Sequence, residues 1–115
     1  MNTLKNSYIR FLNCIEVLEL KAGAKKLDAL EEQLLNSIML AYAQGREILV
    51  GDLLVMSNLG SQATLHGRIK SLRTAGYIRL VTDNVDGRKK KVVPTKMAIK
   101  HYEDLSKLLT KAALT

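Results

Sequence analysis

Aromatic residues are scarce in this sequence: there is no tryptophan and a single phenylalanine beside four tyrosines. With one proline and twenty leucines, the composition points to long helices rather than a β-sandwich. Cysteine is nearly absent as well. The lone Cys14 excludes an internal disulfide, and one Cys with two His excludes a structural zinc site. That usage suits a reducing compartment. Long apolar runs are also missing. The longest stretch without Asp, Glu, Lys or Arg runs from Leu53 to Gly67 and is broken by Ser57, Asn58, Gly60, Ser61 and Gln62, which excludes a membrane span. Arg10, Glu16 and Glu19 interrupt any apolar N-terminal region of signal-peptide type. The expectation is a soluble, cytoplasmic protein. The sequence shows no Ser-His-Asp or Cys-His arrangement, glycine-rich phosphate loop or metal-spaced cluster. It therefore predicts no enzyme: no catalytic residue, no cofactor and no metal.

What is present is a globular chain of one-domain size. At 115 residues, 47% hydrophobic and 25% charged, it is long enough to bury a core without covalent staples and too apolar to be disordered. Its charge is segregated. Residues 61–100 carry ten basic groups (Arg68, Lys70, Arg73, Arg79, Arg88, Lys89, Lys90, Lys91, Lys96 and Lys100) against Asp83 and Asp86. The other 75 residues carry eight basic and nine acidic groups, so the whole excess of +7 comes from one contiguous third of the chain. A basic surface of this kind predicts a polyanionic partner, most often nucleic acid, over a merely solvated face.

Hydrophobic periodicity gives the elements. Leu4, Tyr8, Phe11, Leu12, Ile15 and Leu18 line one face of a first helix that ends near Ala22-Gly23. Asp28 caps a second helix with Glu31 in capping-box position, and Leu27, Leu30, Leu34, Leu35, Ile38, Met39, Ala41 and Tyr42 form a stripe broad enough to pack from more than one side. Gly45 closes that helix. Ile48-Leu49-Val50 reads as a strand stub, Gly51 to Met56 as a short helix, and Asn58-Leu59-Gly60 as a turn. Ser61 caps a third long helix with Leu65, Ile69 and Leu72 inward, and Gly76 follows its last turn. Tyr77 to Thr82 is a strand, Asp86-Gly87 a hairpin turn, and Val92-Val93 the return strand. Pro94 and Thr95 begin a last helix carrying Ala98, Tyr102, Leu105, Leu108, Leu109 and Ala112 along one side.

Helix, helix, short strand, short helix, turn, helix, strand, basic hairpin, strand, helix is the order of a winged helix-turn-helix, mainly α with a small β-hairpin. The run Ser61-Gln-Ala-Thr-Leu-His-Gly-Arg-Ile-Lys-Ser-Leu-Arg-Thr-Ala-Gly-Tyr-Ile78 resembles the recognition helix and following strand of MarR-type winged-helix regulators. Asp86-Gly-Arg-Lys-Lys-Lys-Val-Val-Pro-Thr95 is similar to that family's wing. The likeness covers about Leu27 to Leu105. Gly87 stands between the wing Asp and Arg88, Pro94 and Ala98 replace the usual Leu and Gly around Thr95, Gly67 falls where the family often has a polar or basic residue, and one C-terminal helix follows the wing instead of two. The resemblance implies a DNA-binding transcription regulator.

The residues support that expectation in their own terms. Each helical residue turns about 100°, so the face opposite Leu65, Ile69 and Leu72 carries Ala63, Gly67, Lys70, Ser71 and Thr74, with Thr64 and His66 on its flanks. Small residues allow close approach to a major groove, while Thr64, His66, Arg68 and Lys70 offer donors for bases or phosphates. Ser61 and Gln62 sit at the helix N-terminus, where free N–H groups attract a phosphate. In the wing, alternation places Arg88 and Lys90 on one side and Lys89 and Lys91 on the other. Four consecutive basic residues exceed what edge protection requires. Arg88 is the candidate for minor-groove insertion, with Asp86 placed to orient its guanidinium. Cys14 reads as a small core residue and His101 as a surface one.

The sequence thus predicts one winged-helix domain, 1–115. Residues 51–95 form the helix-turn-helix and wing, and 1–24 and 96–115 are dimerisation helices meeting through Tyr8, Phe11, Leu12, Ile15, Leu105, Leu108 and Leu109. The expected partners are double-stranded DNA, read by the recognition helix 61–75 and the wing 84–92, and a second copy of the chain; no membrane is involved, and no small-molecule effector is named. The alternative expectation is a winged-helix interaction module, an accessory of a replication or partition assembly.

Overall fold

A computed structural model of the chain describes residues 5–22, 26–56 and 58–114. The elements in order are α1 (Ser7–Ala22), α2 (Ala29–Ala43), α3 (Val50–Leu54), α4 (Gln62–Thr74), β1 (Ile78–Thr82), β2 (Lys90–Pro94) and α5 (Lys96–Leu114). They form two compact units, one of Leu27–Ile99 and one of Met1–Lys26 with Lys100–Thr115. The architecture is the expected mainly helical chain with one antiparallel hairpin.

In the Leu27–Ile99 unit, local chemistry sets each boundary. The Asp28 carboxylate accepts from Glu31 N–H at 2.8 Å while Glu31 Oε1 accepts from Asp28 N–H at 3.0 Å, a reciprocal cap that starts α2. At its other end Gly45, at φ 70°, closes a Schellman turn in which Arg46 N–H reaches Ala41 O and Gly45 N–H reaches Tyr42 O. Helix α4 repeats the device. Ser61 Oγ accepts from Thr64 N–H at the start, and Gly76, at φ 89°, ends it with Tyr77 N–H on Leu72 O. These caps aim Leu34, Leu35 and Ile38 of α2, Leu53 of α3 and Leu65, Ile69 and Leu72 of α4 into one core with Tyr77, Ile78 and Val92.

Three details differ from the sequence reading. The stub at Ile48-Leu49-Val50 is a single antiparallel bridge, Leu49 to Lys91, supported by Val92 N–H on Ile48 O at 2.8 Å; Val50 already belongs to α3. Asp86-Gly87 is not a two-residue hairpin turn. Strand pairing stops at Thr82 and Lys90, and residues 83–89 form a loop held by Asp83 N–H on Lys89 O, Lys89 N–H on Asp86 O and two Asx turns, Val85 N–H on Asp83 Oδ1 and Arg88 N–H on Asp86 Oδ1. Pro94 does not open the last helix. It is buried at the end of β2 opposite Ile78, and Thr95 is the cap: its hydroxyl accepts from Ala98 N–H and donates to Gly76 O at 2.6 Å.

In the other unit, Arg10 of α1 donates through Nε and Nη2 to Ala112 O of α5, at 3.1 and 2.7 Å, satisfying a carbonyl in that helix's last turn. Tyr8 and Phe11 meet edge to face. Cys14 is a free, half-buried thiol. Gly23, the expected stop of α1, lies outside the described residues.

Candidate nucleic-acid interface

Helix α4 presents the two faces its sequence encodes. Leu65, Ile69 and Leu72 are buried. Ser61, Gln62, Ala63, Thr64, His66, Gly67, Lys70 and Thr74 are exposed. At the first turn, Ser61 Oγ donates to Thr64 Oγ1 at 3.0 Å, which fixes the threonine hydroxyl at the mouth of the helix. A Cβ added at Gly67 would meet nothing within 4 Å, so the protein's own packing does not require glycine there. Ser71 is tied back to Gly67 O.

Arg68 stands apart from that exposed set. It is half-buried, and its Nε lies 2.7 Å from Asp28 Oδ2 at the N-cap of α2. Backbone donation from Glu31, and then the Arg68 guanidinium, hold the Asp28 carboxyl below its ordinary titration range.

The wing divides in the same way. Arg88, Lys89 and Lys90 are exposed. The side chain of Arg88 keeps 92% of its accessible surface while its Nε sits 3.3 Å from Asp86 Oδ1, so the carboxylate orients the guanidinium without hiding it. Asp86 is lowered by the Arg88 backbone N–H first and the guanidinium second. The expected alternation of faces fails at Arg88 and Lys89, which lie in the loop, and begins only at Lys90. Lys91 is turned to the protein. Its Nζ is 2.9 Å from Glu47 Oε1, and that contact raises its pKa. Sequence reasoning missed Asp28 and Glu47 as partners of basic residues; no local pattern marks a pair made between distant segments.

Among the described residues no group of three or more His, Cys, Asp and Glu is placed to hold a metal ion, and no helix is long and apolar enough to cross a membrane. A short helix and a capped, two-faced helix followed by a basic β-hairpin define a winged helix-turn-helix. Solved structures with this fold cover nearly all of the chain. MepR of S. aureus, solved with ethidium bromide, matches 94% of this chain and 70% of its own, at 14% identity and a TM-score of 0.68. A MarR protein from Peptoclostridium difficile matches 92% and 63%, at 24% identity and 0.57. BpsR of Bordetella bronchiseptica, described for regulation of its DNA binding by 6-hydroxynicotinic acid, matches 96% and 74%, at 21% identity and 0.56. The chain thus has the winged-helix fold of MarR-type regulators. No family model and no curated protein matches the sequence.

Proposed function

We propose that this protein is a sequence-specific, double-stranded-DNA-binding transcription regulator of the cytoplasm that acts as a homodimer. The observation that carries the reading is the composition of the exposed α4 face: small residues at Ala63 and Gly67 flanked by Thr64, His66 and Lys70, on the helix that leads into a hairpin bearing Arg88, Lys89 and Lys90. Small side chains let a helix approach base edges, and the flanking donors supply hydrogen bonds to them. The wing cations engage phosphates, and Arg88, pre-oriented by Asp86, enters the minor groove. The structural relatives support the reading, since BpsR is described for regulated DNA binding. The second copy docks on the apolar stripes of α1 and α5, where Tyr8, Leu12 and Leu109 are exposed and Phe11, Ile15, Leu105 and Leu108 are half-buried.

Selection of bound duplexes from a random pool tests this directly. A palindromic consensus with half-sites about one helical turn apart is the expected result. Recovery of duplexes with no shared sequence would leave an assembly role for the fold and remove the regulator.

A further inference from the structure

The basic residues of the interface are of two kinds. Lys70, Arg88, Lys89 and Lys90 are exposed. Arg68 and Lys91 each face an acid from an earlier segment, Asp28 and Glu47. Arg68 follows Leu65 by three residues, so it points about 60° from that buried side chain, on the inner flank of α4 and not on its outer face. Its Nε is inaccessible to solvent and lies 2.7 Å from Asp28 Oδ2 as an ion pair without hydrogen-bond alignment, while the side chain as a whole is 41% exposed. Asp28 is itself fixed, because its other oxygen accepts Glu31 N–H and its own N–H is held by Glu31, a side chain only 4% exposed. The anchor therefore exists before Arg68 arrives. At the wing, the Lys91–Glu47 pair sits beside the Leu49–Lys91 bridge, where the segment before α3 joins β2.

We propose that Arg68 and Lys91 are positioning residues: they lock the rotation of α4 and the root of the wing through Asp28 and Glu47, and do not serve as phosphate contacts. Burial of Leu65, Ile69 and Leu72 fixes which side of α4 faces the core but, being non-directional, permits small rotations about the helix axis. A charge pair on its flank does not, and a small rotation would swing Gly67 and Lys70 out of reach of a base edge. The inference rests on the DNA-binding reading above.

The test exploits a difference of sign. Asp28→Asn and Glu47→Gln each remove a negative charge. Asparagine caps a helix as well as aspartate does, so the Asp28→Asn chain keeps its fold, which a thermal melt checks. If the pairs only tuned charge, both variants would bind DNA more tightly. If they position, both bind more weakly, by about two- to fivefold, on the duplex recovered by selection. Arg68→Met should weaken binding to a similar extent, leave the slope of log K against log salt where the wild type has it, and add nothing in an Asp28→Asn background. Tighter binding by Asp28→Asn, or a slope flattened by about 0.9 in Arg68→Met as for a lost phosphate contact, would overturn the proposal while leaving DNA binding intact. A wild-type chain that binds no duplex at low salt would instead defeat the function, and the positioning role with it.

Discussion

The two compact units dispose of their leucines differently. In Leu27–Ile99 the side chains of Leu34, Leu35, Ile38, Leu53, Leu65, Leu72 and Ile78 are fully buried. In the unit of Met1–Lys26 with Lys100–Thr115, Tyr8, Leu12, Leu20, Leu109 and Leu114 are exposed, and among the described residues the buried apolar side chain is the small Ala112. Three helices and a hairpin can surround a leucine on every side; two helices cannot. The first unit has a finished core, with Leu40, Val55 and Val85 left outside it. The second carries apolar stripes that call for another surface, which the proposed dimer supplies.

Breaking the finished core should have the largest effect. Leu72→Ala empties a site with no accessible surface and should cost about 2–5 kcal/mol in denaturant unfolding; a loss under 1 kcal/mol would mean that the core is loosely packed. Acidic substitution of the open stripes should spare the fold and destroy assembly. Phe11→Glu with Leu12→Glu, or Leu108→Glu with Leu109→Glu, should give folded monomers that bind a full site about a hundredfold more weakly. Sedimentation checks this, and a wild-type chain that is monomeric at high micromolar concentration would refute the dimer. A finer probe lies inside the finished unit. Gly67 meets no neighbour, so Gly67→Ala should raise stability by about 0.5–1 kcal/mol, yet weaken specific DNA binding if the helix approaches base edges there. The smallest effect is on acid stability. The folded Asp28 carboxyl titrates lower than in the unfolded chain, so its contribution is complete at neutral pH and is lost as pH falls through the ordinary carboxylate range and below it. Acid unfolding of Asp28→Asn should lack that share.

How much of this was legible in the sequence depended on range. The Asp28–Glu31 box, the Ser61 cap and the glycines at 45 and 76 fell at their expected places, because each is a contact between residues a few positions apart. The inner and outer faces of α4 followed from periodicity for the same reason. The wing loop did not. Asp-Gly is a strong hairpin signal, but the Asx turns of Asp83 and Asp86 hold a longer loop in which Gly87 has no positive φ. Proline's preference for helix starts points Pro94 to α5, whereas pairing with Ile78 and burial place it in β2. The sorting of basic residues was half legible: periodicity sets Arg68 apart from Lys70 and alternation sets Lys91 apart from Lys90, but the partners Asp28 and Glu47 come from distant segments that only folding brings to them.

The proposed function divides the work: α4 reads sequence while the wing holds the backbone. It is tested most directly by titrating salt against Lys70→Ala and Lys90→Ala on the selected duplex and on a scrambled one. Lys70→Ala should cost about 1–3 kcal/mol on the selected duplex and little on the scrambled one. Lys90→Ala should weaken both alike and flatten the salt slope by about 0.9. If both variants lose affinity in the same proportion on both duplexes, α4 reads no sequence and the account fails.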